Sequence, residues 1–83
     1  MKTVEYTDEN GMQIGVVTHC AGYLDSDALS VYFQDRDGNW QQVFSNPCYV
    51  SADCDPSDDM LREWAEEILA DSEEYSAALA GTL

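Results

Sequence analysis

The sequence predicts an α+β domain: about four antiparallel strands over roughly residues 3–50, packed on one face against a C-terminal amphipathic, acidic helix over about 56–79. Three observations carry that prediction. Apolar and polar residues alternate through the first half, turn residues separate the alternating runs, and a helical apolar period follows a helix-start signal in the last third. Eighty-three residues make one domain with a single small core, and 45% hydrophobic content with nine aromatics is more than a disordered acidic tail carries.

Thr3 to Thr7 alternates, Asp8-Glu9-Asn10-Gly11 supplies turn chemistry, and Met12, Ile14 and Val16 mark one face of a second strand, so a first hairpin is expected. After a polar break at Asp25-Ser26-Asp27, Leu29, Val31 and Phe33 alternate with Ser30, Tyr32 and Gln34. Asp37-Gly38 then turns the chain into Trp40 to Phe44, giving a second hairpin. Asn46-Pro47 reads as a turn, followed by a short edge strand at Cys48-Tyr49-Val50.

From Asp55 the signal becomes helical. Asp55 suits the N-cap, Pro56 the first helical position, and Asp58 the first turn, where negative charge favours the helix dipole. Leu61, Trp64, Ala65, Ile68, Ser72, Tyr75 and Leu79 fall on one stripe at helical spacing, and Asp59, Glu63, Glu66, Glu67, Glu73 and Glu74 on the other side. Trp64, Ile68 and Tyr75 are expected to meet Ile14, Val31 and Phe33 in the core.

The charge is extreme: 17 acids against 3 bases, a formal net charge of -14. Ten of the acids lie between Asp53 and Glu74, where Arg62 is the only base, so the charge forms a patch. Any solvated helix face carries charge, but an ordinary one mixes Glu with Lys, because opposite charges at i,i+4 stabilise and like charges repel. Here Asp59, Glu63 and Glu67 stand in such a row of like charge, and Asp71, Glu73 and Glu74 oppose the dipole of a single long helix. Such a chain is repelled by nucleic acid and anionic membranes, and a strongly basic surface is its natural partner. Halophilic adaptation also raises acid content, but it fits less well with acid concentrated in one third of the chain.

Several chemistries lack support. No GxGxxG or P-loop pattern is present, and His19, the single histidine, is more simply a strand residue than a general base, so no catalysis and no cofactor are expected. Zinc would need His19, Cys20, Cys48 and Cys54 to converge, yet neighbouring strand residues point to opposite faces; three cysteines without CxxC spacing read as reduced thiols. Asp35, Asp37 and Asn39 open like a calcium loop, but Gly38 falls at the fourth position and no Glu follows at the twelfth, so they read as turn residues. The longest apolar runs are a few residues, and the Met1-Lys2-Thr3 start lacks the apolar stretch of a signal peptide, so no membrane span and a cytoplasmic location are expected.

A small acidic domain with a short antiparallel sheet and the helical row Asp59, Glu63, Glu66, Glu67, Glu74 resembles, by size and charge and with no family motif, the anti-defence inhibitors of phages and mobile elements. These include anti-CRISPR proteins, restriction inhibitors and inhibitors of uracil-DNA glycosylase. The resemblance implies a host target in the host cytoplasm, commonly a DNA-binding subunit. Carboxylates at i, i+3 and i+4 stand about 5–6 Å apart, so their row imitates the charge density of a nucleic-acid strand. The expected function is inhibition by occupying a basic nucleic-acid-binding surface, through Asp53, Asp55, Asp58, Asp59, Glu63, Glu66, Glu67, Glu73 and Glu74. The alternative is an acidic interaction module, such as an immunity or adaptor protein, whose acidic face docks on one basic partner without imitating DNA; were the acid row not to carry binding, exposed Tyr23, Tyr32 and Trp40 on or near the hairpins would be the next anchors. The apolar surface of so small a domain also allows a homodimer.

Overall fold

The alternating runs form four strands: β1 (Lys2–Thr7), β2 (Gln13–Tyr23), β3 (Ser26–Gln34) and β4 (Trp40–Ser51). The computed structural model describes residues 2–23, 26–51 and 54–81, without the side chains of 20–23. Each strand pairs antiparallel with the next, in the order β1-β2-β3-β4. Residues after Ser57 form two helices, α1 (Asp58–Ala70) and α2 (Glu73–Ala80), so the class is α+β as the patterning predicts.

The two outer hairpins share one turn. In each, an aspartate Oδ1 accepts from the amides two and four residues on: Asp8 from Asn10 (3.0 Å) and Met12 (2.8 Å), Asp35 from Asp37 (2.9 Å) and Asn39 (2.9 Å). Gly11 and Gly38 then take φ of +80° and +84°, a region open to glycine at little cost. Asp35, Asp37 and Asn39 are thus turn residues. Side-chain bonding from Gln41, then from the turn amides, holds the Asp35 carboxyl below the usual carboxylate range.

Three boundaries differ from expectation. Ser26 and Asp27 belong to β3 instead of a break. Asn46-Pro47 is no chain turn, because β4 runs through it as one edge strand. Pro47 is tolerated where the strand bulges: Asp27 pairs with Val50 and Leu29 with Asn46, so a two-residue step on β3 faces a four-residue step on β4. The Asn46 side chain caps the bulge by accepting from the Cys48 amide at 2.9 Å.

The third correction concerns the helix, which breaks at Asp71-Ser72. Ser72 Oγ accepts from the Tyr75 amide at 3.1 Å and starts α2, as Ser57 Oγ accepts from Met60 at 3.2 Å and starts α1. Ser57 therefore holds the N-cap expected of Asp55, and Pro56 precedes it. Gly81, at φ 78°, closes α2 in the left-handed conformation.

The core joins Val4, Ile14, Val16, Leu29, Val31, Phe33 and Val50 of the sheet to Leu61, Ala65, Leu69 and Tyr75 of the helices. Phe33 and Tyr75 meet edge to face, ring centroids 5.7 Å apart. Trp64 and Ile68 are half-buried at the flank, and Leu69 holds the central place given above to them. The break also turns Leu79 outward, 44% exposed. Leu61, Ala65 and Leu69 at i,i+4 spacing are the face that α1 buries, each leucine contributing roughly 1.5–3 kcal/mol.

Candidate functional site

With Leu61, Ala65 and Leu69 inward, the 100° advance per residue puts Asp59, Glu63 and Glu67 on the far side of α1, and all three are exposed. Glu66 lies on the flank beside β1 and the first turn. There its carboxyl is pushed above the usual range by burial and by the negative charges of Asp8 and Glu9, partly offset by the Tyr6 hydroxyl. Tyr6 Oη is buried without a hydrogen bond of ordinary geometry, although it lies close enough to Glu66 for each to perturb the other. Burial first, then the charge of Glu66, drives the Tyr6 phenol well above its usual range.

The remaining predicted residues divide. Asp58 is exposed but forms an ion pair with Lys2 at 3.2 Å, and Lys2 also donates to the Pro56 carbonyl at 2.7 Å. Asp55 is exposed ahead of α1, beside a recess lined by Lys2, His19 and Cys54. Asp53 lies outside the described residues, as do the side chains of Tyr23 and Cys20. Glu73 and Glu74 occupy the first turn of α2, where negative charge favours the dipole. The expected opposition to the dipole therefore does not hold for these two, and local structure accounts for their sign. Asp71, the C-cap of α1, still stands at the negative end.

The helical break creates a feature that sequence reasoning missed. Val43, Phe44 and Ile68 line a groove of about 400 Å³ with Asp71, Ser72, Glu73 and Glu74. Beside it an aromatic ladder runs from Phe44 to Tyr49 to Trp64, with centroid spacings of 5.5 and 5.6 Å. The Ser72-Glu73-Glu74 triplet, a helix-start signal in its own right, was the cue to the break.

Among the described residues, none of the three bases forms an ion pair with the exposed row on α1. Lys2 is held at the start of that helix, Arg62 lies over the Tyr6 ring at 5.4 Å, and the Arg36 guanidinium sits against Gly81, its Nη2 2.5 Å from where a Cβ would stand. Glu63 and Glu67 thus present charge to solvent with no base paired to them, and Asp59 meets only the dipole of the first turn. Among the described residues, no three His, Cys, Asp or Glu side chains converge as a metal site, and no helix is long and apolar enough to cross a membrane. Cys48 and Cys54 are free thiols. Comparison with protein-family models, curated proteins and solved structures finds no match to this chain.

Proposed function

We propose that this protein is an inhibitor that works by occupation, docking the outer face of α1 on a basic nucleic-acid-binding surface of a host defence protein in the cytoplasm, in the manner of an anti-CRISPR protein. The observation that carries this reading is the row Asp59, Glu63, Glu67, flanked by Glu66: Asp59 favours the dipole from the first turn of α1, but nothing local accounts for the sign of Glu63 and Glu67. From Asp59 to Glu67 the row runs about 12 Å at 1.5 Å per residue, a length over which one DNA strand places three to four phosphates at about 3.4 Å each. Steering by such a face speeds association, and salt weakens it.

The test is capture from a lysate of the source cells on the immobilised protein, at low and high salt, with duplex DNA as competitor in one arm. A basic nucleic-acid-binding protein that DNA displaces, and that a Glu63→Lys/Glu66→Lys/Glu67→Lys variant fails to capture, supports the reading. Capture unchanged by that variant overturns it.

A second reading is favoured by the groove at Val43, Phe44 and Ile68. An apolar floor with an acidic rim suits a protein partner that offers an aliphatic anchor between basic residues, which DNA cannot imitate. That partner would stay bound in the presence of DNA and be lost on Val43→Lys substitution.

A further inference from the structure

Among the described residues, the helices cover one face of the sheet and no element packs on the other. Strand register places Glu5, Gly15, Tyr32 and Gln42 in one row of that face and Thr3, Val17, Ser30 and Ser45 in the next, with Gly15 and Ser30 covered by their larger neighbours. Trp40 lies across Gly15, its ring in van der Waals range at 3.4 Å from where a Cβ would stand. Trp40 is nonetheless 43% exposed, and with Val17 and Tyr32 it walls an open, mainly apolar depression of about 240 Å³. Glu5 is the one acid among these residues, in a chain with a net charge of -14.

We propose that this face is a homodimer interface, on which a second copy of this chain packs sheet to sheet about a twofold axis. Charge selects the occupant. Two copies carrying -14 each repel through their helical layers, but meet a nearly neutral aromatic surface when the open faces approach. Shape agrees with this, since an isologous contact requires each copy to bring both halves of the fit, here the part-exposed indole lying on the sheet and the apolar depression that it walls. Stacked sheets lie roughly 10 Å apart, which puts the two helical layers roughly 30 Å from each other, well beyond a Debye length of about 10 Å.

Area sets the strength. Four strands about 4.8 Å apart and some seven residues long offer on the order of 500 Å² per copy, or about 1,000 Å² in all, the lower limit for a specific interface. The dimer is therefore weak and reversible, and this inference stands independently of the partner proposed above.

Sedimentation of the full chain from about 1 μM to about 1 mM tests it, because an interface of that size dissociates within this range. The expected result is a reversible shift from the 9.3 kDa monomer to twice that mass, little changed by salt. Thr3→Glu with Gln42→Glu, both at exposed positions of the open face, should weaken association tenfold or more, and Trp40→Ala should do the same. If Trp40→Ala fails to fold, the Thr3 and Gln42 variant alone decides. A monomer throughout, a dimer indifferent to these variants, or association that weakens steeply with added salt overturns the proposal.

Discussion

The Tyr75 hydroxyl donates to Asp8 Oδ2, 67 residues away, while Oδ1 of the same carboxylate accepts the Asn10 and Met12 amides of the first turn. One buried carboxylate thus ties the β1–β2 turn to α2, and Asn10 Nδ2 closes the triangle by donating to Tyr75 Oη at 3.1 Å. Burial and the Asp8 hydrogen bond push the Tyr75 phenol up to about 12.

Tyr75→Phe leaves the 8%-exposed Asp8 carboxylate short of a donor and should cost about 1.5–3 kcal/mol in urea unfolding, the range for hydrogen bonds to charged groups. A double-mutant cycle with Asp8→Ala should show coupling of about 1 kcal/mol or more, whereas independent effects would mean that the contact does not hold the helix to the turn. The alkaline limb gives a second readout. Because the folded phenol is raised, the unfolded chain loses this proton first, and stability falls as pH rises from the ordinary tyrosine value of 10.0 toward about 12. Tyr75→Phe should remove that part of the slope.

Glu66 predicts the opposite of a stabilising carboxylate. Its raised folded value means that the folded state binds more protons than the unfolded state just above the ordinary value of 4.5, so stability falls as pH rises through that window. Glu66→Gln should flatten this limb and leave the protein more stable at neutral pH, by a few tenths of a kcal/mol because solvent screens so exposed a group. A loss of stability at pH 7 would show that the Tyr6 contact outweighs the repulsion from Asp8 and Glu9.

Ser72 separates the two helices. Ser72→Ala removes the acceptor for the Tyr75 amide and should cost about 1 kcal/mol, with a larger share of the loss in α2 protection than in α1 when amide exchange is followed. Equal loss in both helices would mean that the pair unfolds as one unit.

The fold was legible where local chemistry and tertiary packing agree. Asp8 to Gly11 and Asp37-Gly38 name their turns through side-chain acceptors and positive-φ glycines, and Leu29, Val31 and Phe33 name the buried face of β3. Illegible features depended on distant partners. Pro47 reads as a turn until its strand is seen to be an edge that can bulge, and the apolar period runs through Ser72 because Tyr75 is buried after the break as well. The acid row on α1 was readable from spacing alone. That Asp58 would be neutralised by Lys2, and that Glu73 and Glu74 would open a new helix, required the sheet edge and the break, which no local window contains.

Glu63 and Glu67, beyond the first turn that favours Asp59, gain nothing from their own charge, and this yields the sharpest separation of stability from function. Asp59 and Glu63, and Glu63 and Glu67, are like-charged pairs at i,i+4, each costing about 0.2–0.5 kcal/mol. Glu63→Lys converts both into attractive pairs, so the variant should be more stable than the parent by about 1 kcal/mol, and its gain should shrink as salt is added. The same change places a positive charge at the centre of the proposed docking face, where like charge against a basic partner costs several kcal/mol, so capture should fall a hundredfold or more. A variant both steadier and inactive is the signature of residues kept for binding at the expense of the fold. Unaltered capture by a stabilised Glu63→Lys protein would instead move the interface off α1, to the groove at Val43, Phe44 and Ile68.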